Sequence, residues 1–257
     1  MASTPIKVMT SLATKEFLVE YLAQYQATSG QAVAYENAGG VEIAKRARAG
    51  ESFDVVVLAS GVIDALIAEG KLVAGSKVDV VILASGVIDA LQAEGKLSAG
   101  SKVYVVKSSA TVAVPAGAPW PDIGTEEALK RAILAAPSVS YSTGPSGVYL
   151  EKLFAHWGIA EAIKAKLVIA PPGVPVGSLL AAGHAALGFQ QLSELIHIAG
   201  IEVVGPLPPP IGLITTFAAG ISPTCTQVEA TRKLLAAMAA PAATAAKRKH
   251  GLEPAGA

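Results

Sequence analysis

Residues 54–78, DVVVLASGVIDALIAEGKLVAGSKV, run without a break into 79–103, DVVILASGVIDALQAEGKLSAGSKV, and the two differ only at Val57/Ile82, Ile67/Gln92 and Val73/Ser98. No other feature of the chain limits its fold as strongly. Each copy reads as a buried strand, a helix opening at Ser60-Gly61 or Ser85-Gly86 and closing at Gly70 or Gly95, and a turn. Stacked-repeat folds need about three or more units to bury a continuous core, so two copies imply a tandem duplication inside a globular lobe. A sheet with one slot for this unit must reorder its neighbours to admit both. One copy is therefore expected to be surplus, with Gln92 and Ser98 marking the second as the more solvated.

On either side of the repeat the chain alternates strand and helix. IKVMTS reads as a strand, ATKEFLVEYLAQYQATSG as a helix with Phe17, Leu18, Tyr21, Leu22 and Tyr25 on one face, QAVAYENAGG as strand and glycine turn, and VEIAKRARAGESF as a short helix. This rhythm predicts a parallel sheet with right-handed crossovers and a ligand at the carboxyl ends of its strands. VYVVKSSATVAVPAGAPWPD then gives strands and a Pro/Gly-rich turn, a crossing into a second lobe. Beyond it the reading is a helix over GTEEALKRAILAAP, a strand running into the turn at 142–147, helix, break and helix over YLEKLFAHWGIAEAIKAKL, a helix from Val176, and a strand at AALGF. The segment from 201 returns to the first lobe, and a final helix and tail close the chain. The boundaries expected are 1–113 for lobe 1, 114–215 for lobe 2 and 216–257 for the return.

Composition removes several functions. Twenty basic residues balance twenty acidic ones and aromatics make up 5% of the chain, so neither a field for nucleic acid nor a base-stacking platform is expected. Cys225 is the single cysteine, which excludes an internal disulfide and a cysteine-rich zinc site. His156, His184 and His197 lack metal-ligand spacing, so no metal and no cofactor are expected. No apolar run reaches the roughly 18–20 residues that span a bilayer, and membrane insertion is not expected. The N-terminus MASTPIKVMTSLATKEF has no leader as written, which gives a cytoplasmic location as it stands and a periplasmic one if a leader has been trimmed.

The turn in YSTGPSGVYLEKLF is dense in hydroxyls and glycines and leads straight into a helix. Backbone N–H groups at a helix start, with their share of the helix dipole, hold an anion without any cationic side chain. The bland reading is a helix cap with no ligand. The order STGPSGVYLEKLF…WGI, PPGVPVGSLLAAGHAALGFQQLSEL, GIEVVGPLP, TTFAAGI and KHGLEP resembles the molybdate-type group of type II periplasmic solute-binding proteins, over essentially the whole chain except the extra copy. The resemblance implies two α/β lobes with two hinge crossings and an anion cleft between them, the extra strand-helix duplication lying in lobe 1.

It also implies ligand contacts at Ser11, Ala13 and Thr14 in the first loop, at Gly39 and Gly40 in the second, at Ser142, Thr143 and Ser146, at Pro175 and Val176, and at Gln190 and Gln191. Two positions depart from the molybdate pattern. Gly39-Gly40 replaces a hydroxyl donor and Gln191 a tyrosine, which counts against molybdate itself, and Lys15, one helical turn in from the first loop, with the Gln190-Gln191 pair suits a carboxylate better.

The function this implies is capture of a small oxyanion, molybdate-like or a small carboxylate, by hinge closure, with the membrane subunits of an ABC importer as partners. An alternative on the same fold is an isomerase of a small unsaturated carboxylic acid, in which Glu194 and Lys15 would handle protons. No nucleophile elbow, phosphate loop or dinucleotide fingerprint occurs. The balance at this point favours a binder over an enzyme.

Overall fold

The computed structural model describes residues 5–10, 12–38, 55–57, 80–84, 103–171, 173–221 and 227–255. It begins with β1 (Ile6–Thr10), α1 (Leu12–Ser29), β2 (Val33–Asn37), β3 (Val55–Val57), β4 (Val80–Ala84) and β5 (Val103–Pro115). Next come α2 (Glu126–Ala135), β6 (Val139–Ser142), α3 (Pro145–His156), α4 (Ala160–Ile163), β7 (Leu167–Ala170), α5 (Val176–Ala181), β8 (Leu187–Gln191), α6 (Leu192–Leu195) and β9 (Ile201–Pro206). The chain closes with β10 (Ile214–Ile221), α7 (Val228–Ala239), α8 (Thr244–Lys249) and β11 (Glu253–Pro254). Two compact units result, Met1–Lys107 with Thr216–Ala257, and Ser108–Thr215. β5 and β10 run from one unit into the other.

In the first unit α1 buries Ala13, Thr14, Phe17, Leu18 and Leu22; Phe17, Leu18 and Leu22 belong to the expected stripe, whose Tyr21 and Tyr25 are only half-buried. They meet Ile6 and Val8 of β1, Val105 and Val106 of β5, Phe217 and Ile221 of β10, and Leu234, Leu235 and Met238 of α7 in one core. β1 pairs in parallel with β2 on one side and β3 on the other. β2 is the edge strand, and past Val33 its residues are exposed. Midway along α1, Glu20 accepts a hydrogen bond from Lys249 Nζ (2.6 Å) and engages His250 Nε2 (3.0 Å), which ties the helix to the C-terminal segment.

The strands of both repeat copies enter this sheet. β3 and β4 are parallel neighbours with Val55 opposite Val80, Val56 opposite Val81 and Val57 opposite Ile82, so each residue lies beside its own duplicate. The free edge of β4 is taken up by β10, antiparallel from Ile221 opposite Val80 to Phe217 opposite Ala84. The strand order is β2-β1-β3-β4-β10. The expectation of a surplus copy therefore fails for the strands. A parallel pair needs two apolar strands in matching register, and an exact copy of VV at the same offset supplies that without any new sequence. The helices expected at 61–70, 86–95 and 41–53 lie outside the described residues.

Two further expectations change. VYVVKSSATVAVP forms one strand of 13 residues in place of several, because nothing in it before Pro115 bars the ladder. The single C-terminal helix is two, α7 and α8, separated at Pro241, which opens a short 3₁₀ turn.

In the second unit β8 lies between β5 and β6, with β7 outside β6 and β9 paired to β5. β6, β7 and β8 are mutually parallel, while β5 runs antiparallel to β8. Leu129, Ile133, Val139, Tyr141, Leu150, Phe154, Leu187 and Phe189 form the core, with Phe154 edge-on to Tyr141 at 5.9 Å and to Phe189 at 6.5 Å. Thr125 caps α2 by accepting from Ala128 N at 3.1 Å, and Glu126 and Glu127 favour its N-terminal dipole.

Deleting 79–103 leaves one intact repeat whose strand has the sequence to pair with β1 on one edge and β10 on the other. The shortened chain is expected to unfold in a single cooperative transition with a Tm no lower than that of the full chain, by circular dichroism. A deletion chain that fails to fold would show that both strands are indispensable.

Candidate functional site

The carboxyl ends of β6, β7 and β8 share one edge of the second unit, with Ser142 level with Ala170 and Tyr141 level with Phe189. Each end leads to a helix start, α3 after β6, α5 after β7 and α6 after β8. A parallel sheet puts its ligands at such an edge.

The start of α3 is built by close packing. A Cβ on Gly147 would lie 1.6 Å from the carbonyl oxygen of Ser142, so only glycine lets the helix approach the strand end this closely. At Gly188 a Cβ would come within 2.7 Å of Leu180 Cδ1 and 2.8 Å of Val176 Cγ1, and its absence seats α5 on β8. The N-cap of α3 is Gly144, and no side chain caps the helix. The hydroxyls of Ser142, Thr143 and Ser146 are thus not its caps. Ser142 is half-buried, Thr143 exposed and Ser146 buried.

Gln190 and Gln191 are buried at the end of β8. Gln190 Oε1 accepts from Val176 N at 2.7 Å, and its Nε2 donates to Glu194 Oε1 at 2.9 Å. The resemblance implied ligand contacts at Pro175, Val176 and Gln190. In the structure the Val176 N–H is engaged by Gln190, and both ends of the Gln190 amide have protein partners. Pro175 is the N-cap of α5 and only half-buried. Gln191 Nε2 donates to Thr215 Oγ1 at 2.9 Å, while its Oε1 is buried with no partner among the described residues.

Glu194 sits in the first turn of α6, whose N-cap is Gln191. Burial pushes its carboxyl up to about 7, and hydrogen bonds from the Gln190 side chain and the Gln191 backbone offset part of that rise. Such a group exchanges protons near neutral pH. The tyrosines beside the turn are structural. Tyr141 OH donates to Glu151 Oε1 at 3.3 Å and Tyr149 OH to the Ile211 carbonyl at 3.0 Å, and burial raises both phenols, Tyr141 to about 12.

In the first unit, Ala13 and Thr14 lie in the first turn of α1 and are buried. The Thr14 hydroxyl shares a 2.6 Å hydrogen bond with that of Thr10 inside the core. Lys15 is paired with Glu16 at 3.1 Å and both are partly exposed, the arrangement of an ordinary helix-surface ion pair. Ser11, Gly39 and Gly40 lie outside the described residues.

Thr215 went unrecognised in the sequence. A threonine within ITTF gives no sign of it. The half-burial of Glu194 had no sign either, since LSEL alone does not separate a solvent-facing acid from a sheltered one. Among the described residues no group of three or more His, Cys, Asp or Glu could hold a metal, and no helix is long and apolar enough to cross a membrane.

The family model described as bacterial extracellular solute-binding protein matches residues 6–78 and 71–253. The two stretches overlap at the joint between the repeats, as expected when a single unit of the family pattern occurs twice. An aconitate isomerase from a Pseudomonas species is 34% identical over 239 residues, covering 87% of this chain and 81% of that protein. The periplasmic molybdate-binding protein of Azotobacter vinelandii aligns with a TM-score of 0.68 and 19% identity, over 96% of this chain and 98% of that one. The tungstate ABC transporter structure from Geobacter sulfurreducens aligns at 0.65 and 14%, over 97% and 100%. These likenesses establish the fold as that of type II periplasmic binding proteins, two α/β units with the doubled strand in the first. The expectation of a non-enzymatic role is overturned by the isomerase match.

Two outcomes check this geometry. Gly147→Ala forces α3 off the end of β6 and is expected to cost about 1–3 kcal/mol, measured by urea unfolding. Because the folded carboxyl of Glu194 titrates at about 7 against an ordinary 4.5, its contribution to stability is complete below pH 4.5 and disappears as the pH rises through 7. Glu194→Gln should remove this dependence and raise stability at pH 8 by up to about 3 kcal/mol, read from unfolding at pH 5 and pH 8.

Proposed function

The chain belongs to the bacterial extracellular solute-binding protein family, and from that premise we propose that it is an isomerase of a small unsaturated carboxylic acid of the aconitate kind, working by general acid/base proton transfer. The observation that carries this reading is the 34% identity to an aconitate isomerase across 87% of the chain. The second unit supplies chemistry that fits. At the α3 start, unpaired N–H groups and the positive end of a 12-residue helix suit a substrate carboxylate. The hydroxyls of Ser142 and Thr143, half-buried and exposed in the same turn, would add hydrogen bonds to it.

Glu194 is the general base and acid. Its carboxylate removes a proton from the carbon next to the double bond, and the electron pair left behind spreads over the C=C and the attached carboxylate. The protonated carboxyl then returns the proton to the other end of that system. The double bond changes place or geometry, nothing is oxidised, and no co-reactant is consumed. A carboxyl that titrates at about 7 is matched to both halves of this cycle.

A second reading, capture of a small oxyanion for delivery to the membrane subunits of an importer, draws on the family and on the fold shared with molybdate- and tungstate-related structures. Capture alone does not account for a half-buried carboxyl raised to about 7.

Incubation with cis- and trans-aconitate in deuterated buffer, followed by proton NMR, is expected to show interconversion with solvent deuterium appearing at carbon. Glu194→Gln should lower kcat about 10²–10⁴-fold while the acid still binds by calorimetry. Tight binding of molybdate or tungstate with no turnover of any unsaturated acid would move the assignment to capture.

A further inference from the structure

The hydrogen bonds around Gln190 have only one possible direction. The Val176 backbone N–H can donate and cannot accept, so the amide group 2.7 Å from it presents oxygen. Nε2 must then be the atom 2.9 Å from Glu194 Oε1. The side chain is buried and stands on β8, which is held by β5 on one edge and β6 on the other. The acceptor lies one helical turn further on, in α6, which begins where β8 ends. We propose that Gln190 is a positioning residue, a fixed N–H donor that orients the Glu194 carboxyl for proton transfer and touches no substrate itself. This rests on the isomerase reading, and it differs from the ligand contact that the resemblance assigned to Gln190.

The groups acting on the Glu194 carboxyl are this amide, the Gln191 backbone N–H and the surrounding burial. Both hydrogen bonds favour the ionised form, and burial opposes it. Removing the Gln190 donor therefore leaves a carboxyl that ionises at higher pH and is held from one side only. A residue that mattered for packing alone would alter stability and leave that titration where it was.

Two variants separate donor from packing. Gln190→Glu keeps the shape and an oxygen for Val176 N–H, and replaces the donor facing Glu194 with an acceptor. Gln190→Met keeps the length and removes both bonds. In each, the carbon-13 carboxyl titration of Glu194, assigned with Glu194→Gln, is expected to move to higher pH, in Gln190→Glu as one step of a coupled pair. The acid limb of kcat/KM for aconitate is expected to move with it, kcat to fall about 10-fold or more, and KM to change little. Unchanged titration and an unchanged limb in a folded Gln190→Glu protein would overturn the proposal, as would a loss confined to KM. If the wild-type chain turns over no unsaturated acid while the Glu194 titration still moves in the variants, the isomerase reading fails and the orienting contact stands.

Discussion

How closely a helix can approach the strand that precedes it governs the second unit. Gly147 lies against the Ser142 carbonyl and Gly188 against Leu180 and Val176, at distances that exclude any side chain. These two contacts bring the starts of α3 and α5 up to the carboxyl edge of β6 and β8. A methyl group at either point would lift a helix away, and the N–H groups at its start would no longer converge with the end of the sheet. The arrangement of donors at this edge is thus a consequence of absent atoms.

At the same edge charge and burial compete. A carboxylate surrounded by protein loses hydration, and Glu194 is pushed up to about 7 for that reason. Two N–H groups keep the rise in check, and each comes from the end of β8, one from the side chain of Gln190 and one from the backbone of Gln191. Strand, cap and acid occupy five consecutive residues. Their mutual geometry is tied to the rest of the unit through the Val176 N–H that holds the other end of the Gln190 amide.

Much of this was legible in the sequence. The periodicity of α1, the helix from Val176, the strand at AALGF and the turn at 142–147 that opens a helix all follow from local pattern, and local pattern reflects which face an element buries. What could not be read depends on partners distant in the chain. Gln190 next to Gln191 looks like a pair with one role, yet alternation along β8 sends one amide to Val176 and Glu194 and the other to Thr215. The half-buried place of Glu194 goes with the bond it accepts from Gln190, which LSEL alone does not state. The reading of the repeat failed for a related reason. It took the number of slots in a sheet as fixed, whereas an open sheet grows wherever an edge finds a matching strand.

The register of β3 against β4 has a consequence for how such chains arise. Copying a segment that contains one whole strand and its connector creates a neighbour with the same register and the same direction, so the newcomer is compatible with its template from the first generation. Errors in replication that span such a module are therefore better tolerated than errors that begin or end partway through one. A lineage can widen its central scaffold in a single event and adjust the loops afterwards.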